Sequence, residues 1–147
     1  MKQPGVLLVL VIFVAAVSFV VASQEFKYGG TKTAQLSGSN VVNSIGDADG
    51  TGVLEVTVRA DEGKFCYGLS LTNISTASSV TLNYGLKGTN GPQVAILQTP
   101  SQAKGSSVDC VALDADRIGD IMRNPASYYV NVQNAEFPNG AVRGQLK

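Results

Sequence analysis

The chain has 147 residues, enough for one domain with a real core, and its eleven basic and eleven acidic residues balance to a formal charge of zero. No basic cluster occurs along it, which excludes an electrostatic footprint for nucleic acid, and no Lys/Arg-rich amphipathic helix suggests a membrane surface. Histidine is absent altogether, so the base of Ser-His-Asp and Cys-His nucleophile arrangements is missing.

The chain opens "MKQPGVLLVLVIFVAAVSFVVASQ". Lys2 gives a short positive start, Val6 to Ala22 is apolar apart from Ser18, and small residues follow. Val20 and Ala22, or Val21 and Ser23, stand at −3/−1 cleavage positions, which is the layout of a secretory signal peptide over residues 1–23. The mature chain then begins near Gln24, and residues 24–147 form one domain without linker or repeat. The rival reading is an uncleaved anchor displaying that domain on a membrane. The apolar run is at the short limit for spanning, and no basic stop-transfer cluster follows it. In an exported chain the two cysteines, Cys66 and Cys110, read as one disulfide. Closing a loop of about 45 residues stabilises the fold by about 4 kcal/mol in the chain-entropy account. A reactive thiol pair lacks the C-x-x-C spacing.

Beyond the leader the pattern is short alternating runs. "TGVLEVTVRA" sets Leu54, Val56 and Val58 against Val53, Glu55 and Thr57. "KFCYGLSLTNI" puts Phe65, Tyr67, Leu69 and Leu71 on one face, and "VTLNYG" alternates Val80, Leu82 and Tyr84 with Thr81 and Asn83. "PQVAILQT" and "SSVDCVAL" are further β-type runs, with "SYYVNVQ" and "AVRGQLK" near the end. A two-residue period in such short segments predicts an antiparallel sheet with one buried face. The runs are separated by "SGSN", "GDADGTG", "DEGK" and "TNGP", all rich in turn formers. One helix is expected over 115–124. Asp114 caps it, Ile118, Ile121 and Met122 share a face, and Asn124-Pro125 ends it.

The last stretch, "YYVNVQNAEFPNGAVRGQL", reads as a hairpin. Pro138 suits position i+1 of a tight turn and Asn139 position i+2, while Gly140 can take positive φ. Tyr128, Val130 and Val132 face one way on the incoming strand, Val142 and Leu146 on the outgoing one. Arg143, Gln145 and Lys147 are expected to face out. Glu136 and Arg143, on opposite arms, then form a partly exposed cross-strand ion pair contributing about 0.2–1 kcal/mol. A ligand-anchoring role for Arg143 is the alternative.

That terminal run, with its Glu136-Phe137-Pro138-Asn139-Gly140 turn and its Arg143-Gly144 pair, resembles the C-terminal signature of CHRD domains, the module named after chordin. "TAQLSGSNVVNSIGDADGTG" resembles the family's first strand and loop, and "CYGLSLTNI" its cysteine-bearing strand. "NGPQVAIL" and "DCVALDADRIGDIMRNPASYYVNV" follow in the family's order, so the resemblance covers roughly residues 26–147. It implies a secreted or cell-surface all-β domain, an antiparallel β-sandwich of Greek-key or immunoglobulin-like kind. Many family members carry an "HIH" pair and a third histidine in "NVH". On a strand, residues i and i+2 share a face, so such a pair can present two nitrogens to one metal. Here those positions are Thr81, Asn83 and Gln133, poor ligands for zinc or copper. The resemblance therefore implies neither cofactor nor superoxide-dismutase-like activity in this chain.

Four further candidates remain. "GDADGTG" offers Asp47 and Asp49 at calcium-loop positions 1 and 3, but position 12 is Val58 and the flanks are strand, so a polar turn is the expectation. The carboxylate pairs Asp47/Asp49 and Asp61/Glu62 are the local options for glycoside hydrolysis, and no tryptophan lines a sugar subsite. "GTNGP" lacks the lysine and helix of a phosphate loop. Asn73-Ile74-Ser75 is an N-glycosylation acceptor if the pathway is eukaryotic. The expectation is a secreted, non-catalytic binding or structural module without metal or other cofactor. Its partner is an extracellular protein or polysaccharide, met by exposed loops or by the polar face bearing Thr81, Asn83 and Gln133. A redox or metal-dependent enzyme descended from a metal-binding sandwich is the other class.

Overall fold

The computed structural model describes residues 28–101 and 105–147, and the expected leader at 1–23 lies outside them. The strands are β1 (Tyr28–Ser37), β2 (Thr51–Arg59), β3 (Lys64–Thr72), β4 (Ala77–Tyr84), β5 (Gln93–Leu97), β6 (Ser106–Ala112), β7 (Tyr128–Asn134) and β8 (Val142–Gln145). Among the described residues one α-helix, α1 (Ala115–Arg123), joins β6 to the last hairpin. Every described pairing is antiparallel, and the eight strands form one sheet in the order β5-β4-β7-β8-β1-β2-β3-β6.

The alternation predicts the buried face closely. Along β2, Leu54, Val56 and Val58 are fully buried while Thr51, Glu55 and Thr57 are exposed. They pair with Leu69, Tyr67 and Phe65 of β3, so two inward rows meet rung by rung. Val80 and Leu82 of β4 meet Val132 and Val130 of β7 in the same way. These rows, with Ala34 and Leu36, Leu97, Val142 and Leu146, form one apolar core. Tyr84 keeps the inner face but stands at the end of its strand, where it remains 43% exposed.

The two terminal strands of the sheet come close to one another. Just beyond β5, the Gln98 amide donates to the Tyr67 hydroxyl at 2.6 Å, and Ser107 Oγ of β6 donates to the Gln98 carbonyl at 2.9 Å. The sheet thus curls nearly into a barrel around a single core. The sequence leads to the expectation of an antiparallel sandwich; the described pairings show the antiparallel sheet and run continuously through it. Alternation reports which face of a strand is buried, and both arrangements bury the same face.

The helix follows its sequence signals. Asp114 Oδ1 accepts from the Arg117 amide at 2.7 Å, Ile118 and Ile121 are buried in the common core, and the helix stops at Arg123, ahead of Asn124-Pro125. It is tied to the sheet through Tyr128, whose hydroxyl donates to Asp120 and accepts from Arg117 Nη1 at 3.2 Å. The expected disulfide is formed. Cys66 of β3 and Cys110 of β6 are direct cross-strand partners, which fastens edge strand β6 to its neighbour.

Candidate functional site

Strand alternation sends Ser79, Thr81 and Asn83 of β4 away from the core, and likewise Tyr129, Asn131 and Gln133 of β7. Register brings these rows side by side: Ser79 opposes Gln133, Thr81 opposes Asn131, and Asn83 opposes Tyr129. Gln93 of β5 continues the surface beyond Asn83. Two loops wall it, one carrying Val42 and Asn43, the other Asn90, and Asn139 of the terminal turn closes a further side. The result is a groove of about 470 Å³, which lies within the ordinary range of ligand clefts, about 300–1,000 Å³.

Its chemistry is uniform. Seven of the eleven lining residues carry a carboxamide, two carry an aliphatic hydroxyl, and no lining side chain is charged. Several of these groups are already oriented. Asn83, which is buried, donates from Nδ2 to Thr81 Oγ1 at 2.9 Å and to the Thr81 carbonyl at 3.2 Å. Asn131 donates to the Asn139 carbonyl at 3.4 Å, and Asn90 to the Val42 carbonyl at 3.3 Å. Each carboxamide has both a donor and an acceptor end, so one bond made inside the protein leaves capacity for another group.

The three positions that carry histidine in the resembled pattern, Thr81, Asn83 and Gln133, all line this groove. Their donors are a hydroxyl and two neutral amides, one of them already committed to Thr81. That set does not fit zinc or copper, which favour imidazole or thiolate. Among the described residues, no group of three His, Cys, Asp or Glu side chains is close enough to hold a metal ion.

The terminal hairpin forms as expected, with the Gly140 amide bonded to the Phe137 carbonyl at 3.1 Å around Pro138 and Asn139. Gly140 has φ +142°, and a Cβ there would lie 2.7 Å from Asn131 Oδ1. The outgoing strand departs from expectation. Arg143 does face away from the core, yet it is only 2% exposed, because the loop after β4 folds over it. Its guanidinium donates to Asn90 Oδ1 at 2.8 Å and to the Thr89 carbonyl at 2.6 Å, and lies 3.5 Å from the centre of the Tyr129 ring. Burial pushes its pKa down, although a guanidinium stays protonated in proteins. Gln145 is half-buried and clamps the same loop from the other end, donating to the carbonyls of Gly85 at 2.6 Å and Ala126 at 2.7 Å. Between them, Gly144 lets β1 approach: a Cβ there would lie 2.4 Å from the Gln35 carbonyl oxygen.

The expected Glu136–Arg143 ion pair is not formed. Glu136 is exposed and instead accepts from Ser75 Oγ at 2.7 Å, which ties the terminal turn to the β3–β4 connection. The planar, five-donor guanidinium finds its partners in loop carbonyls and an aromatic face instead.

The remaining candidates do not converge with the groove or with one another. Asp47 is buried, its amide held by the Ala141 carbonyl at 2.8 Å, while Asp49 is exposed. Asp61 and Glu62 sit past the other end of β2, where Glu62 faces Lys64 at 3.3 Å and Arg59 at 3.5 Å. Nine strand residues separate the two carboxylate pairs, roughly 30 Å at about 3.3 Å per residue, so they do not make one acid–base site. Asn73 is exposed at a bend with φ +56°, and Ile74 behind it is buried.

Asn131 was within reach of sequence reasoning, since it lies two residues from Gln133 on the same strand. Asn43, Asn90 and Asn139 were not, because loop residues carry no periodicity to say where they fold.

A family model described as CHRD domain matches residues 32–146. No curated protein and no solved structure matches the chain.

Proposed function

The chain belongs to the CHRD-domain family, and from that premise we propose that it is an exported, non-catalytic binding or structural module whose ligand contact is the groove on β4 and β7. The observation that carries the reading is the lining itself: neutral amides and hydroxyls, prearranged by internal hydrogen bonds, with no charged side chain among them. Such a surface holds a ligand without supplying a nucleophile, an acid–base pair or a metal centre. The leader at 1–23 is cleaved in this reading, and the nearly closed sheet serves as a sandwich-like scaffold outside the cell. The partner is an extracellular protein or polysaccharide, and Asn73 is open to glycosylation where the pathway performs it.

Two measurements test this. The intact mass of the exported product places its start near Gln24 or leaves the leader in place as an anchor. Capture on the producer's own wall or matrix fraction is expected for the exported protein and is expected to weaken when Gln133 and Gln93 are both replaced by Ala. Capture unaffected by those changes removes the groove from the reading. Stoichiometric copper or zinc in the purified protein overturns it.

A further inference from the structure

The carboxamide groove can be assigned a ligand class, and this assignment rests on the groove being the binding surface. We propose that it binds neutral, hydroxyl-rich oligosaccharide.

Each alternative class fails on a feature of the site. No lining side chain is charged, so neither an anionic nor a cationic ligand finds a counter-charge. The nearby Arg143 is spent on Asn90, Thr89 and the Tyr129 ring. Val42 is the one aliphatic lining residue, which leaves little surface for an apolar ligand. A peptide strand is commonly recognised by adding to an open sheet edge. Here β4 lies between β5 and β7, and β7 lies between β4 and β8, so the ladder groups of both strands are already paired, and edge strand β5 enters the lining only through Gln93. Over its β4 and β7 floor the groove therefore recognises through side chains.

What remains is a face of paired donors and acceptors. A carboxamide donates and accepts in one plane, as do the two hydroxyls of a vicinal diol taken together. Rows on β4 and β7 set such groups about 4.8 Å apart across the strands and roughly 6.7 Å apart along them, a grid on the scale of sugar hydroxyls. Several are held in place before binding: Asn83 by Thr81, and Asn90 by Val42 and Arg143. This reduces the ordering cost of association. The Tyr129 ring is not a stacking platform. Its face is covered by Arg143, and its hydroxyl is bonded to the Gly91 amide at 3.1 Å. Recognition without stacking rests on neutral hydrogen bonds, each of small net worth, so the affinity is modest, with a Kd on the order of 1 mM.

The test is a ¹⁵N NMR titration of the exported product of the full chain, in which side-chain carboxamide resonances are observed directly. The probes are neutral glucan, mannan and chitin tetrasaccharides, an oligogalacturonate as the acidic counterpart, and an uncharged extended peptide. At least one neutral sugar is expected to shift, saturably, the side-chain signals of Asn83, Asn131 and Gln133 and the backbone amides of 79–83 and 129–133. Gln133→Ala and Gln93→Ala each weaken that binding about threefold to tenfold, with the thermal midpoint unchanged as evidence of intact folding. Neither side chain donates to or accepts from another described residue. Shifts produced only by the acidic sugar or only by the peptide overturn the assignment, as does a blank titration at about ten times the expected Kd. If matrix capture still depends on Gln133 and Gln93 while every neutral sugar is blank, the glycan assignment alone falls. If capture ignores both residues, the groove itself is the wrong site.

Discussion

Arg143 supports the polar face through Asn90 and Tyr129. Its guanidinium sits under the loop between β4 and β5, bonded to Thr89 and Asn90 and stacked on Tyr129. Lysine keeps the charge but offers a tetrahedral point donor in place of a planar fork, and it stacks less well. Arg143→Lys is therefore expected to destabilise the protein by about 1.5–3 kcal/mol, seen as a lower urea midpoint at unchanged m-value. Because Asn90 is one wall of the groove, the same variant is expected to broaden the Asn90 side-chain resonances. Equal stability of Lys and Arg at 143 would show that charge alone anchors the loop. At the next position the constraint is steric: Gly144→Ala places a methyl against the Gln35 carbonyl, at a distance only backbone movement can relieve. The expected cost is about 1–3 kcal/mol by the same urea measurement.

At the scale of elements, the strands and the helix were legible because both are written in local periods. The two-residue alternation of 51–60 and 64–72 named the buried faces, and Asp114 with Asn124-Pro125 bounded the helix to within a residue. The disulfide follows from a count of two cysteines together with the expectation of export, and the structure shows why it fits: Cys66 and Cys110 are register partners. Strand order was not legible. β4 pairs with β7 across some fifty residues of chain, and nothing in either run names the other. The groove was half legible for the same reason. Thr81, Asn83 and Gln133 could be placed on one face, but alternation does not say which loop folds over that face, and so Arg143 and Gln145 were expected in solvent. The bridge carries its own prediction. Replacing both cysteines by Ala is expected to lower stability by about 4 kcal/mol in denaturant titration, from the closed loop of some 45 residues. A loss well under 1 kcal/mol would mean that edge strand β6 is held chiefly by Ser107, Gln98 and its ladder to β3.

The whole molecule has an unusual titration profile, because a chain without histidine has no side chain that ordinarily changes charge between about pH 5.5 and 8.5. Stability is expected to be nearly flat across that window. Its alkaline limit is expected to involve Tyr67 and Tyr128. Both are buried, and burial is the leading cause that raises each phenol above its ordinary value of 10.0. For a raised group the neutral form is the native one, so the stabilising contribution is intact below about pH 10. It is lost as the pH climbs through the folded value, because the unfolded chain releases its protons first. The slope there is at most about 1.4 kcal/mol per pH unit for each tyrosine. The acid limit involves Asp120, lowered first by the hydrogen bond from Tyr128 and then by that from Asn124. A lowered carboxyl contributes above its unfolded value and is lost as the pH falls through the folded one. Tyr128 thus acts at both ends of the profile, and Tyr128→Phe provides the test. Thermal midpoints measured from pH 3 to pH 11 are expected to show a shallower alkaline fall and a weaker acid-side dependence in the variant than in the parent. A variant profile parallel to the parent's at high pH would remove Tyr128 from the alkaline transition and leave Tyr67, at the seam where the sheet nearly closes, to account for it.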